Sequence, residues 1–162
     1  EHKAAMNAFN LTYRFQHRPD VMQSLSRIAR EEMRHFEQVL AIIKKRHITI
    51  RHLPAPRYAK GLHVISKGEK QDELVNRLLI ASIIEARSCE RFQALTEVLD
   101  GELETFYGKL YQAEYLHYDF FLTLALELDI NAEERLKTLL QTEKKLILSP
   151  EKIFRFHSGI PH

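Results

Sequence analysis

Ile28-Ala29-Arg30-Glu31-Glu32-Met33-Arg34-His35-Phe36-Glu37-Gln38-Val39 decides how this chain folds. Taken at spacings of three and four, its inward stripe reads Ile28, Glu32, His35, Val39 and runs on to Ile42. The period is helical, and it puts an acid and an imidazole where a buried face wants leucine. The same device recurs downstream, where Phe106, Leu110, Glu114, His117, Phe121 and Leu124 carry a second Glu-x-x-His. Two further stripes hold one acid each: Leu74, Leu78, Ala81, Glu85, Cys89, Phe92, and Glu1, Ala5, Ala8, Thr12, Phe15.

Working outward, the pattern predicts helices over 1–16, 20–46, 72–99 and 103–128. Asp20 is the expected N-cap of the second, with Gln23 completing a capping box. Asp100-Gly101 marks a helix stop. A fifth helix is expected after Asn131, ending before Ser149-Pro150, and the tail from Arg155 reads as irregular. Residues 47–71, with Pro54, Pro56, Gly61 and Gly68, are too long for a tight turn; a short helix near Arg57–Ser66 fits there. The fold class is therefore all-α. The expected architecture is a ferritin-like four-helix bundle with one long crossover between the second and third helices, plus a C-terminal helix. At 162 residues the chain is expected to form a single domain.

With 17 Glu and nine His, one Glu-x-x-His is expected by chance, so the spacing alone says little. The order says more: lone Glu, pair, lone Glu, pair, one per helix, each on its buried stripe. That is the arrangement of di-metal carboxylate bundles. An i, i+3 spacing sets carboxylate and imidazole about one turn apart on one face. Four ionised carboxylates among apolar side chains repel one another and lose their hydration, and even one unpaired buried charge costs several kcal/mol. Two divalent cations balance four carboxylates, and mixed oxygen and nitrogen donors suit iron or manganese. The competing reading places some of these acids on the surface and makes the two histidines hydrogen-bonded core residues. Ala81, Ser82 and Cys89 either leave room for a substrate or are ordinary packing. The tyrosines 107, 111, 115 and 118 read mainly as packing residues.

Composition bounds the rest. No apolar run approaches a membrane span, so no membrane partner is expected. Glu1-His2-Lys3 is too polar for a signal peptide. Cys89 is the single cysteine, which excludes an internal disulfide and fits a cytoplasmic setting. The chain starts inside a helical pattern, so residues upstream are expected. Lys44, Lys45, Arg46, Arg51, Arg57, Lys60, Lys67 and Lys70 face only Glu69 across residues 44–70, although the formal net charge of the chain is +2. This block is either a solvated loop or a polyanion site.

Four strings carry a resemblance: Glu31-Glu32-Met33-Arg34-His35-Phe36-Glu37-Gln38-Val39-Leu40, Arg57-Tyr58-Ala59-Lys60-Gly61, Ile84-Glu85-Ala86-Arg87-Ser88-Cys89-Glu90-Arg91-Phe92, and Arg155-Phe156-His157-Ser158-Gly159-Ile160-Pro161. The chain resembles the tRNA 2-methylthio-isopentenyladenosine hydroxylase family along its whole length. The resemblance implies a non-haem di-iron monooxygenase that hydroxylates the isopentenyl group of the modified adenosine beside the anticodon. It implies Glu1, Glu32, Glu85 and Glu114 as carboxylate ligands, with His35 and His117 as imidazole ligands. Two Fe ions, dioxygen as co-substrate and an external electron donor, a reductase or ferredoxin, would follow. The partner would be the tRNA anticodon stem-loop, gripped by Arg51, Arg57 and Lys60 with Tyr58 as a stacking ring. A ferritin-like ferroxidase or iron store, a di-manganese catalase-type enzyme, and a binding module that has lost its metal remain as rivals.

Overall fold

A computed structural model describes residues 1–51, 57–65, 70–150 and 155–157. Pro54, Pro56, Gly68 and the Ser158–Pro161 string lie outside the described residues. Those described form six helices and no strand: α1 (His2–Thr12), α2 (Pro19–Lys45), α3 (Arg57–Ile65), α4 (Lys70–Thr96), α5 (Gly101–Leu128) and α6 (Ala132–Leu148). This all-helical order fits a ferritin-like bundle with an added C-terminal helix. Contacts divide the chain into two compact units, residues 1–54 and 55–162.

The first unit is the α1–α2 hairpin. α1 buries Ala5, Ala8 and Leu11, spaced three apart, and the small alanines let the helices approach closely. It ends at Thr12 rather than near Gln16. The Thr12 hydroxyl donates to the Phe9 carbonyl, and turns at Arg14, Phe15 and Arg18 bring the chain back. α2 starts one residue before the expected cap, because Pro19 has its φ preset for a first helical position and Arg18 becomes the N-cap. Asp20 therefore does not cap the helix. It takes both arms of the Arg18 guanidinium, at 3.1 and 2.8 Å, and this pair holds its carboxyl down to about 2. α2 buries Val21, Leu25, Ile28 and Glu32 along one stripe. It ends in a Schellman motif: Ile48 N–H donates to Ile43 O, His47 N–H to Lys44 O, and His47 takes the left-handed conformation (φ 53°) usual for glycine.

The second unit is organised by α4. Leu74, Val75, Leu78, Leu79, Ile80, Ala81 and Ile83 are all buried, so this helix is apolar around nearly its whole circumference. Such a helix must be wrapped by others. α5 pairs along its length through a four-residue link, which makes the two antiparallel, and α6 packs on α4 and on α3. Gly101, read from sequence as a stop, instead opens α5 with φ 57°. Arg135 ties the start of α6 to α4, reaching Asp72 and Asp129 at 2.6 Å each. α3 and α6 touch at Gly61, where an added Cβ would fall 2.6 Å from Leu146 Cδ2.

Candidate metal centre

The expected ligands fall into one set in each unit. In the first, the hairpin returns α2 past the start of α1, so that the His2 and Phe36 rings sit 5.4 Å apart. Glu1 and His35 neighbour these residues. The His35 Nδ1 lies 4.0 Å from both Glu1 Oε2 and Glu32 Oε2. One donor atom from each of Glu1, Glu32 and His35 falls within 4.8 Å of the others. Glu32 is 1% exposed. A carboxylate at that depth, with a second carboxylate and an imidazole beside it, is a donor set that a cation would neutralise.

In the second unit α4 supplies Glu85 and α5 supplies Glu114 and His117, all three buried. The His117 Nδ1 is 3.2 Å from Glu114 Oε2, so the i, i+3 spacing brings the two groups together as expected. Cys89, one turn beyond Glu85, reports on their surroundings. Its thiol is pushed up to about 12, first by burial, then by the negative charges of Glu114 and Glu85. The buried thiol donates to the Tyr111 carbonyl of α5 at 3.8 Å. Ser82 donates to the Leu79 carbonyl at 2.8 Å, and Tyr107 packs on Phe92. Each unit thus brings carboxylate oxygens and an imidazole nitrogen together, and this chemistry fits iron or manganese.

The residues expected to grip tRNA divide. Arg51 and Lys60 are exposed. Arg57, also exposed, donates to the carbonyls of Leu146 and Ser149 at the end of α6 (3.2 and 3.0 Å). Tyr58 does not present a face to a base, which corrects the sequence reading. It is 4% exposed, its ring stacks on His157 (5.2 Å, 16°), and its hydroxyl donates to Glu143 at 2.9 Å. An apolar ring beside a paired hydroxyl fits that interior better than solvent.

Tyr58 leads to a cluster that sequence reading passed over. Glu143 of α6 is 2% exposed and accepts three hydrogen bonds, one from Tyr58 and two from Arg87 (Nε 2.8 Å, Nη2 2.9 Å). Arg87 also pairs with Glu90. Phe156 packs on Phe92 and on His157, with the Arg91 guanidinium 5.9 Å above its ring. A signal for Glu143 was present: it sits on the stripe Leu136, Leu139, Glu143, Leu146, again an acid in a leucine position.

A family model described as tRNA-(MS[2]IO[6]A)-hydroxylase (MiaE) matches residues 1–158. A curated relative from Pseudomonas putida, named tRNA 2-(methylsulfanyl)-N(6)-isopentenyladenosine(37) hydroxylase, is 41% identical over 99% of this chain and 80% of its own length. A relative of the same name from Salmonella typhimurium is 42% identical over 83% of this chain and 50% of its own length. Tyr58 of the string that opens at Arg57 and Arg87 of the α4 string meet on Glu143, His157 of the string that opens at Arg155 stacks on Tyr58, and the family match spans all three: the chain belongs to the tRNA-(MS[2]IO[6]A)-hydroxylase family.

Proposed function

We propose that this chain hydroxylates the isopentenyl group of 2-methylthio-isopentenyladenosine beside the anticodon of tRNA. Glu1, Glu32 and His35 in the first unit and Glu85, Glu114 and His117 in the second are the ligands of two metal ions, iron in this reading. One observation carries it: in a chain of this family, each unit holds a buried carboxylate beside the histidine three residues on. When bound, the metals supply dioxygen chemistry that turns a C–H bond into C–OH; two external electrons and two protons take the second oxygen atom to water.

The chain's own residues bind, orient and exclude water. The carboxylates neutralise the cations, and burial of Glu32 and Glu114 keeps bulk water from competing for the same positions. Arg51 and Lys60 offer exposed charge to phosphates, and an anticodon loop presents splayed bases that can leave the stack. No helix among the described residues is long and apolar enough to cross a membrane. The proposed substrate places the reaction in the cytoplasm.

The test is turnover of tRNA carrying the methylthio-isopentenyl modification, read by nucleoside chromatography with and without dioxygen. Oxygen-dependent product from the intact chain, and none from Glu85→Ala, supports the reading. No product under supplied reductant, or full activity in Glu85→Ala, overturns it. Iron storage and manganese catalase chemistry could share the donor set, yet neither makes hydroxylated nucleoside.

A further inference from the structure

Glu143 is a buried acid with no place in the metal set, and three donors converge on it. A buried ion pair is weak evidence for stability, because an apolar pair of similar volume is often as stable or more so. What a two-pronged Arg–carboxylate contact does supply is orientation. Arg87 stands two residues after Glu85. At 3.6 residues per turn the two side chains leave α4 about 200° apart. Glu85 shares a face of α4 with Cys89, four residues on, whose thiol donates to Tyr111 of α5, while Arg87 reaches the other way to α6. Rotation of α4 about its axis pulls on both prongs, each under 3 Å. The same carboxylate takes the Tyr58 hydroxyl, so α3 is pinned to the fork, and the His157 ring stacks on that of Tyr58.

We propose that Glu143 is a positioning residue: through the Arg87 fork it fixes the rotational setting of α4 and so the aim of Glu85 at the metal. This rests on the reading of Glu85 as a ligand. It also explains why Arg87, Tyr58 and His157, none of them a ligand, meet where they do. Outer partners that orient metal ligands typically contribute roughly 10- to 100-fold to metal affinity or activity.

The deciding variant is Arg87→Met/Glu143→Leu in the full chain, which replaces fork and carboxylate by apolar side chains of similar size. Thermal melting should show a folded chain, lowered only by the Tyr58 hydroxyl that loses its acceptor. Co(II) titration, read by visible absorption, should show affinity lowered roughly 10- to 100-fold and the bands shifted. The comparison variant is Arg135→Met, which breaks an ion-paired contact at the other end of α4 and should leave Co(II) binding as in the wild type. Should the double variant not fold, Glu143→Gln, which keeps the volume and the Tyr58 hydrogen bond but weakens the fork, decides by the same titration, with a loss of at least threefold expected. Equal Co(II) affinity and spectra in wild type and variant overturn the positioning role while leaving the metal reading intact. A wild-type chain that takes up no Co(II) defeats the metal reading, and the positioning role with it.

Discussion

Acidification should destabilise this protein through His157, and His157→Phe should remove that part of the loss. The His157 ring lies against Tyr58, edge-on to Phe156, and its Nδ1 is buried. Burial acts first against its proton, then the positive charges of Arg91 and Arg87, and together they push it down from 6.5 to about 4. Unfolded, the same ring takes a proton near its ordinary value. Between those two pH values the unfolded chain binds more protons than the folded one, so stability falls as pH falls. The contribution is fully present above about pH 6.5, shrinks below it, and stops changing once the folded chain also protonates near pH 4. Each pH unit in that window is worth about 1.4 kcal/mol, so the cost reaches about 2 kcal/mol at pH 5 and about 3 kcal/mol at its limit. The assay is urea unfolding of metal-free wild type and His157→Phe at pH 8 and pH 5. Phenylalanine keeps a ring on Tyr58, and the other titrating groups cancel in the comparison. The wild type should lose about 2 kcal/mol more than the variant over this interval. Equal losses would refute the placement of a neutral, enclosed His157.

Three further outcomes follow from the packing and the surface. Gly61→Ala should cost about 1–2 kcal/mol in thermal melting, since its Cβ would meet both methyls of Leu146, and adding Leu146→Ala should recover part of that loss. His47→Gly should stabilise by about 1 kcal/mol in the same assay, because it relieves a left-handed φ at the end of α2. Replacing Arg51 and Lys60 by serine should weaken tRNA binding and lower the salt dependence of affinity by about one unit of slope per lost phosphate contact, measured by filter binding over a salt series.

The helices were legible because their stripes are strong. Leu74, Leu78, Ala81, Glu85, Cys89 and Phe92 are all buried as the spacing implies. The short helix within the crossover was legible as well, starting at Arg57. Helix ends were less so, because single residues decide them: Pro19 set the start of α2 ahead of Asp20, and the turn after Thr12 cut α1 short. Glu85, Glu114 and His117 could be read as inward-facing because an acid on an apolar stripe stands out. Glu143 gives the same signal and was missed, since α6 was read as an addition to the bundle rather than part of its machinery. Tyr58 was misjudged for a different reason. Its neighbours Arg57 and Lys60 are exposed cations, but on a helix the next residue faces another way. Only tertiary contact shows that this way leads to Glu143 and His157.

In the proposed function the two sets of carboxylates and histidines hold a pair of metal ions. Anaerobic Fe(II) titration of the metal-free chain, followed by Mössbauer spectroscopy on the iron-57 protein, tests it most directly. Two iron equivalents per chain are expected in an oxygen- and nitrogen-donor environment, with both lost or disordered in Glu32→Ala and in Glu114→Ala. A single equivalent, or uptake unchanged by either substitution, would contradict it.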